Sequence, residues 1–171
     1  MHDIYSANSY YEGLEYKNIT HRPHFLQYIA TDMVLIAINA IGWLLIVVFF
    51  EHVSPWTIAL WSFFSLYLFL HCQYITSMKY HIGLEQLMYQ RGLFTQKRDY
   101  IEMYRIVDYE ESRSFVEMLF GLKTVTIHAC DRTTPYLQII GVPKDMELIE
   151  TIRERVIQSR KRNGIYEIAN R

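Results

Sequence analysis

The sequence predicts an α+β membrane protein: a two-helix transmembrane hairpin followed by an antiparallel β barrel or sandwich that a C-terminal helix caps. Three observations predict it. Apolar residues make up 51% of the 171-residue chain while the mean hydropathy is zero, so the apolar content is concentrated, and it gathers between Met33 and Cys72. From Lys79 onward the pattern changes to short runs rich in β-branched and aromatic residues. Near the C-terminus it changes again, to a helical period.

The chain divides into an N-terminal arm and interfacial segment (1–32), the helical hairpin (33–72), the β-rich domain (73–162) and a short tail (163–171). Residues 1–24 are rich in Tyr, Asn, Ser and Glu without a sustained period and are expected to be irregular. Phe25 to Ile29 then supplies an apolar patch suited to the headgroup level. His21 and His24 flank Arg22 and Pro23, but no nearby run completes a metal-ligand set, so they read as interfacial histidines and no metal is expected.

Met33 to Phe50 carries no Asp, Glu, Lys or Arg, and at 1.5 Å per residue its length is about 27 Å, close to the hydrocarbon thickness. Trp56 to Cys72 repeats the pattern. Only Glu51 to Pro55 separates the two, enough to reverse direction, with Pro55 placed to open the second helix. The turn lacks Lys and Arg, whereas Lys17 and Arg22 precede the hairpin and Lys79, Arg91, Lys97 and Arg98 follow it, so both termini are expected on the cytoplasmic side. Asn39 and Ser65 fall at the same depth of an antiparallel hairpin and are expected to form an interhelical polar contact. With no ionisable residue assigned to either span, an ion route is not expected.

In the domain, six strands are predicted: Met78 to Ile82, Gln86 to Arg91, Phe94 to Ile101, Ile106 to Arg113, Thr124 to His128 and Tyr136 to Val142. Gly83, Gly92, Gly121 and the Asp131 to Pro135 stretch supply the breaks. Leu148, Ile149, Ile152 and Val156 share one face of a final amphipathic helix, which ends in Arg160, Lys161 and Arg162 before Gly164. Packing that helix over the open end of the strands removes exposed edges.

Tyr80-His81-Ile82 leading to Gln86–Gly92 and Leu93, Ile101 with Arg105-Ile106-Val107-Asp108, and above all the run Leu119 to Ile127 around Gly121 resemble the bacterial pleckstrin-homology-like domains found in small membrane proteins with paired helices. The likeness covers roughly Tyr74 to Val156; Lys123 and Tyr109 depart from it, standing where a smaller and an aliphatic residue would be expected. What the resemblance implies is a pleckstrin-homology-like barrel capped by a helix, in the bacterial inner membrane, with no catalytic residues.

The residues agree with the last point. The sequence holds no Gly-rich phosphate loop, paired-Cys motif or nucleophile elbow, so no catalytic group and no cofactor is expected. Cys72 and Cys130 do not form a disulfide framework. Net charge is −1, and the 15 Lys/Arg and 13 Asp/Glu after residue 72 nearly balance, which disfavours nucleic acid. Arg91, Lys97 and Arg98 flank a predicted hairpin turn close to the second span and are the candidate contacts to anionic lipid. The expected function is a non-enzymatic membrane-anchored scaffold or interaction protein whose partners are membrane lipids and a protein, either a distinct chain or another copy. The alternative is a sensor of anionic lipid or a small ligand through the barrel mouth and basic hairpin.

Overall fold

The computed structural model describes residues 18–132 and 134–165. The Tyr-rich part of the arm before Asn18 and the tail after Ile165 lie outside the described residues. Strand β1 (Ile19–His21) leads into helix α1 (Phe25–Val48), and a turn at Phe50–His52 leads into helix α2 (Pro55–Ser77). Strands β2 (Lys79–Ile82), β3 (Gln86–Arg91) and β4 (Lys97–Glu102) follow, then β5 (Ile106–Ser112), a short helix α3 (Phe115–Leu119), β6 (Leu122–Ala129), β7 (Tyr136–Pro143) and helix α4 (Leu148–Arg162).

Caps and turns explain the hairpin. His24 caps α1 through Nδ1, which accepts from Leu26 N–H, and Ser54 caps α2 just ahead of Pro55. Both helices are long and apolar enough to cross a membrane, and only 11% of either apolar window is buried within the chain. The core helices of a soluble domain would be buried; these turn Val34, Leu44, Val47, Leu60 and Phe63 outward. Helix α1 starts eight residues ahead of the predicted span and contains Asp32, where the backbone leaves helical values (φ −110°, ψ 17°).

The strands form two antiparallel sheets, one ordered β1-β2-β3-β4 and the other β5-β6-β7. Their inner faces meet in a core of Tyr80, Ile82, Leu87, Ile101, Ile106, Val125, Ile127 and Ile139, which Leu148, Ile152 and Val156 of α4 close. The arrangement is an open sandwich with a helical cap. Arg155 on the buried side of α4 fastens that cap by donating to the carbonyls of Ile82 and Gly83, the latter at 3.2 Å.

Two departures from the sequence reading stand out. The arm is not irregular throughout, because Ile19–His21 adds an edge strand through pairing with Tyr80–Ile82. A strand of three residues is too short to show a period. Helix α3, in a stretch to which the sequence reading assigned no element, is held by a capping box in which Ser114 Oγ accepts from Glu117 N–H and Glu117 Oε2 accepts from Ser114 N–H.

Candidate functional site

Polar contacts within the hairpin, a buried joint between hairpin and domain, and two concavities in the domain stand out. Inside the hairpin, Asn39 Nδ2 donates to Ser65 Oγ at 2.9 Å and Trp43 Nε1 donates to the same oxygen at 2.8 Å. Trp61 Nε1 donates to the Asn39 carbonyl at 3.1 Å. Gly42 makes room for this cluster: a Cβ there would lie 1.9 Å from the Trp61 ring.

At the domain end of the hairpin, His71 Nδ1 donates to Asp32 Oδ2 at 2.5 Å. The His71 ring stacks between Tyr67 and Tyr74, with centroids 6.0 and 6.3 Å away. This ionisable pair corrects the reading of the helices as free of such groups. Asp32 falls one residue outside the predicted span, and α1 starts early enough to carry it; His71 lies within the second apolar run and meets Asp32 only once the helices are paired.

The joint itself uses a buried carboxylate and a close backbone approach. Glu117 Oε1 accepts from Gln27 Nε2 at 3.0 Å and from Thr124 Oγ1 at 2.8 Å, linking α1, α3 and β6. Burial opposes the charge on Glu117, but the Ser114 N–H, the Thr124 and Ser114 hydroxyls and the Gln27 amide together hold its carboxyl below the usual range. Gly141 in β7 has φ +67°, and a Cβ on it would meet His24 N, Gln27 Cβ and Pro23 Cα at 3.0–3.1 Å, so the chain entering α1 lies directly on β7. Beside it, buried His21 donates from Nε2 to the Ile140 carbonyl at 3.2 Å.

The first concavity, about 480 Å³, lies at the open side of the sandwich between the β2-β3-β4 face and the start of β7. Tyr80 and Tyr89 stack at 4.9 Å on its wall, and both hydroxyls donate to Met78 Sδ. Burial raises both phenols above the ordinary tyrosine range, so they remain donors. Arg91 and Lys97 line this cleft, each 3.4 Å from Asp99 between them, and Arg91 also lies over the Tyr89 ring. Arg98, the third candidate lipid contact, is exposed on β4 and is not part of the cleft wall. The fold therefore brings two of the three together and places Asp99 between them.

The second concavity, about 430 Å³, runs between β5 and α4. Its floor is Ile106, Val107, Tyr109, Val156 and Ile157, with Ile165 at one end, and Arg153, Arg160, Lys161 and Asp108 rim it. Strand β5 is the outer strand of its sheet here. Arg160 reaches across to donate to the Ile106 carbonyl at 2.7 Å, and Arg162 pairs with Glu85. The basic end of α4 is thus turned onto the domain through Arg160 and Arg162. The departures at Lys123 and Tyr109 also find places: Lys123 is buried and its Nζ meets Glu111 Oε2 at 2.8 Å, while Tyr109 packs against the core and lines this groove.

Among the described residues no group of three His, Cys, Asp or Glu side chains converges as a metal site. Two antiparallel sheets capped by a C-terminal helix and joined to a helical hairpin define a PH-like domain on paired apolar helices, a class whose domains are generally non-catalytic. The chain belongs to the bacterial PH domain family: the family profile described as "Bacterial PH domain" matches residues 25–156, taking in both long helices as well as the domain. No curated protein and no solved structure matches it.

Proposed function

We propose that this chain is a non-enzymatic interaction protein held at the cytoplasmic surface of the bacterial inner membrane by its helical hairpin, and that its PH-like domain takes an extended protein segment against the β5 edge. The observation that carries the reading is the groove between β5 and α4. It pairs an outer strand with an apolar floor at Val107, Tyr109, Val156 and Ile157; because Arg160 already holds the Ile106 carbonyl and Asp108 the Tyr109 N–H, burial of apolar side chains supplies most of the recognition and main-chain pairing falls to the rest of the strand. Arg153, Arg160 and Lys161 on the rim, set against Asp108 and the Glu150 that pairs with Arg153 at 3.6 Å, leave a modest basic bias that favours a segment with acidic residues among apolar ones.

The test is gentle extraction of the full-length protein from its own membranes, with mass determination and identification of everything that co-purifies. A defined protein, or a second copy, is expected at fixed stoichiometry, and Ile157→Glu, which charges an exposed position of the groove, is expected to release it while the fold is retained. A monodisperse monomer without partners under several extraction conditions would count against the proposal.

A second reading has its own observation. Arg91 and Lys97 line the cleft beside Met78, the residue that follows α2, which suits an anionic lipid headgroup. Asp99 offsets part of that charge, so the cleft favours this ligand less than the groove favours a peptide.

A further inference from the structure

We infer that helix α3 is a third membrane contact: a short amphipathic element whose outer face, Phe115, Met118 and Leu119, lies in the headgroup layer beside the first turn of α1. The inference rests on the reading that the hairpin spans a bilayer.

The positions follow a helical spacing of i, i+3 and i+4, so the three side chains share one face. They are 76%, 57% and 73% exposed, while Glu117 on the opposite side is 6% exposed. A helix of five residues has little stability of its own. Here it is fixed from the inside, by the capping box with Ser114 and by the bonds from Thr124 and Gln27 to Glu117, and its outer face is left with large apolar groups that the described residues do not cover.

The level of α3 relative to the spans is set by the Gln27 to Glu117 bond. Gln27 lies in the first turn of α1, six residues before Met33, where the uncharged run begins; at 1.5 Å per residue that is about 9 Å. Interfacial helices bury their apolar faces to about 5–10 Å at the headgroup boundary, and the headgroup layer on each side is of the same order. The apolar face thus sits at the level of the headgroup layer, just outside the lipid-facing surface of α1, which makes the bilayer its occupant.

Site-directed spin labelling of the full-length protein in bilayers tests this. Cys72 and Cys130 are replaced by Ser, and single cysteines are introduced as Met118→Cys and, on the same face, Leu119→Cys. Leu44→Cys reports the span and Glu110→Cys on β5 reports water. Collisions with oxygen, which concentrates in lipid, are expected to exceed collisions with a polar nickel reagent several-fold more at 118 and 119 than at 110. Nickel access at 118 and 119 equal to that at 110, with 44 lipid-exposed, overturns the inference and leaves the hairpin intact. A label at 118 or 119 shielded from both reagents means that protein covers the face, which also overturns it. Nickel access at 44 would remove the spanning hairpin itself.

Discussion

His21 shows how one side chain couples solvent to the joint. Its imidazole is buried where β1 gives way to α1, so loss of hydration depresses its pKa below 6.5, and the bond to the Ile140 carbonyl offsets only part of that. The unfolded chain then binds its proton at a higher pH than the folded one. The neutral form's contribution is complete above about pH 6.5 and is lost as pH falls from there through the depressed folded value. Thermal unfolding in mild detergent is expected to show a steeper loss of Tm below that pH for the native chain than for His21→Gln; superimposable profiles would remove His21 as the cause. Glu117 acts in a lower window with the same sign, since its folded pKa lies below 4.5 and its contribution is lost only as pH falls beneath that value. The burial of these residues was hidden in the sequence for a physical reason: His21, read as interfacial, packs against Ile140 instead. Neither His21 nor Glu117 sits in a motif that marks burial, and each is buried by elements distant in the chain. The Ser114-Phe115-Val116-Glu117 spacing was a signal for the cap of α3, but nothing local pointed to Gln27, 90 residues away.

At the scale of elements, the hairpin and the long strands were legible because their signals are local and repeated: uncharged runs for α1 and α2, alternation and glycine breaks for β2 to β7, and an apolar stripe for α4. Strand β1 and helix α3 were not, because one is three residues long and the other five, and both exist through tertiary pairing. The packing inside the hairpin rests on Gly42, since the Trp61 indole occupies the space its side chain would take. Gly42→Ala is expected to push that ring aside, cost the bond to the Asn39 carbonyl and destabilise the hairpin by about 1–3 kcal/mol. Asn39→Leu removes the donor to Ser65 but keeps the space filled, so its effect should be smaller, about 1 kcal/mol. Denaturation in detergent measures both. A larger loss for Asn39→Leu than for Gly42→Ala would mean that polar bonding, not close packing, holds the two helices.

At the scale of the whole molecule, the hairpin and the domain are joined at two chain crossings, one into α1 through Pro23 and His24 and one out of α2 through Met78, and the Gln27 to Glu117 bond and the Gly141 contact brace the first. That bracing aims the β3-β4 hairpin. Because Lys79 pairs with Gln90, strand β3 runs back toward the end of α2, and its turn, with exposed Phe94 at the tip, returns toward the helical hairpin. Arg91 and Lys97 flank the turn and Asp99 lies 3.4 Å from each, so any pull on anionic lipid is a balance among three charges. Each cation near an anionic surface contributes about 1 kcal/mol, and salt screens it over a Debye length of about 10 Å. Neutralising Asp99 as Asp99→Asn should therefore raise the anionic lipid retained by the extracted protein, and replacing both cations as Arg91→Gln with Lys97→Gln should lower it, with the spread between the two variants shrinking as salt is added. Lipid counting by mass spectrometry of the intact protein measures this. Equal lipid in all three proteins, at low and high salt, would remove the cleft from lipid binding and leave the β5 groove to account for what the domain does.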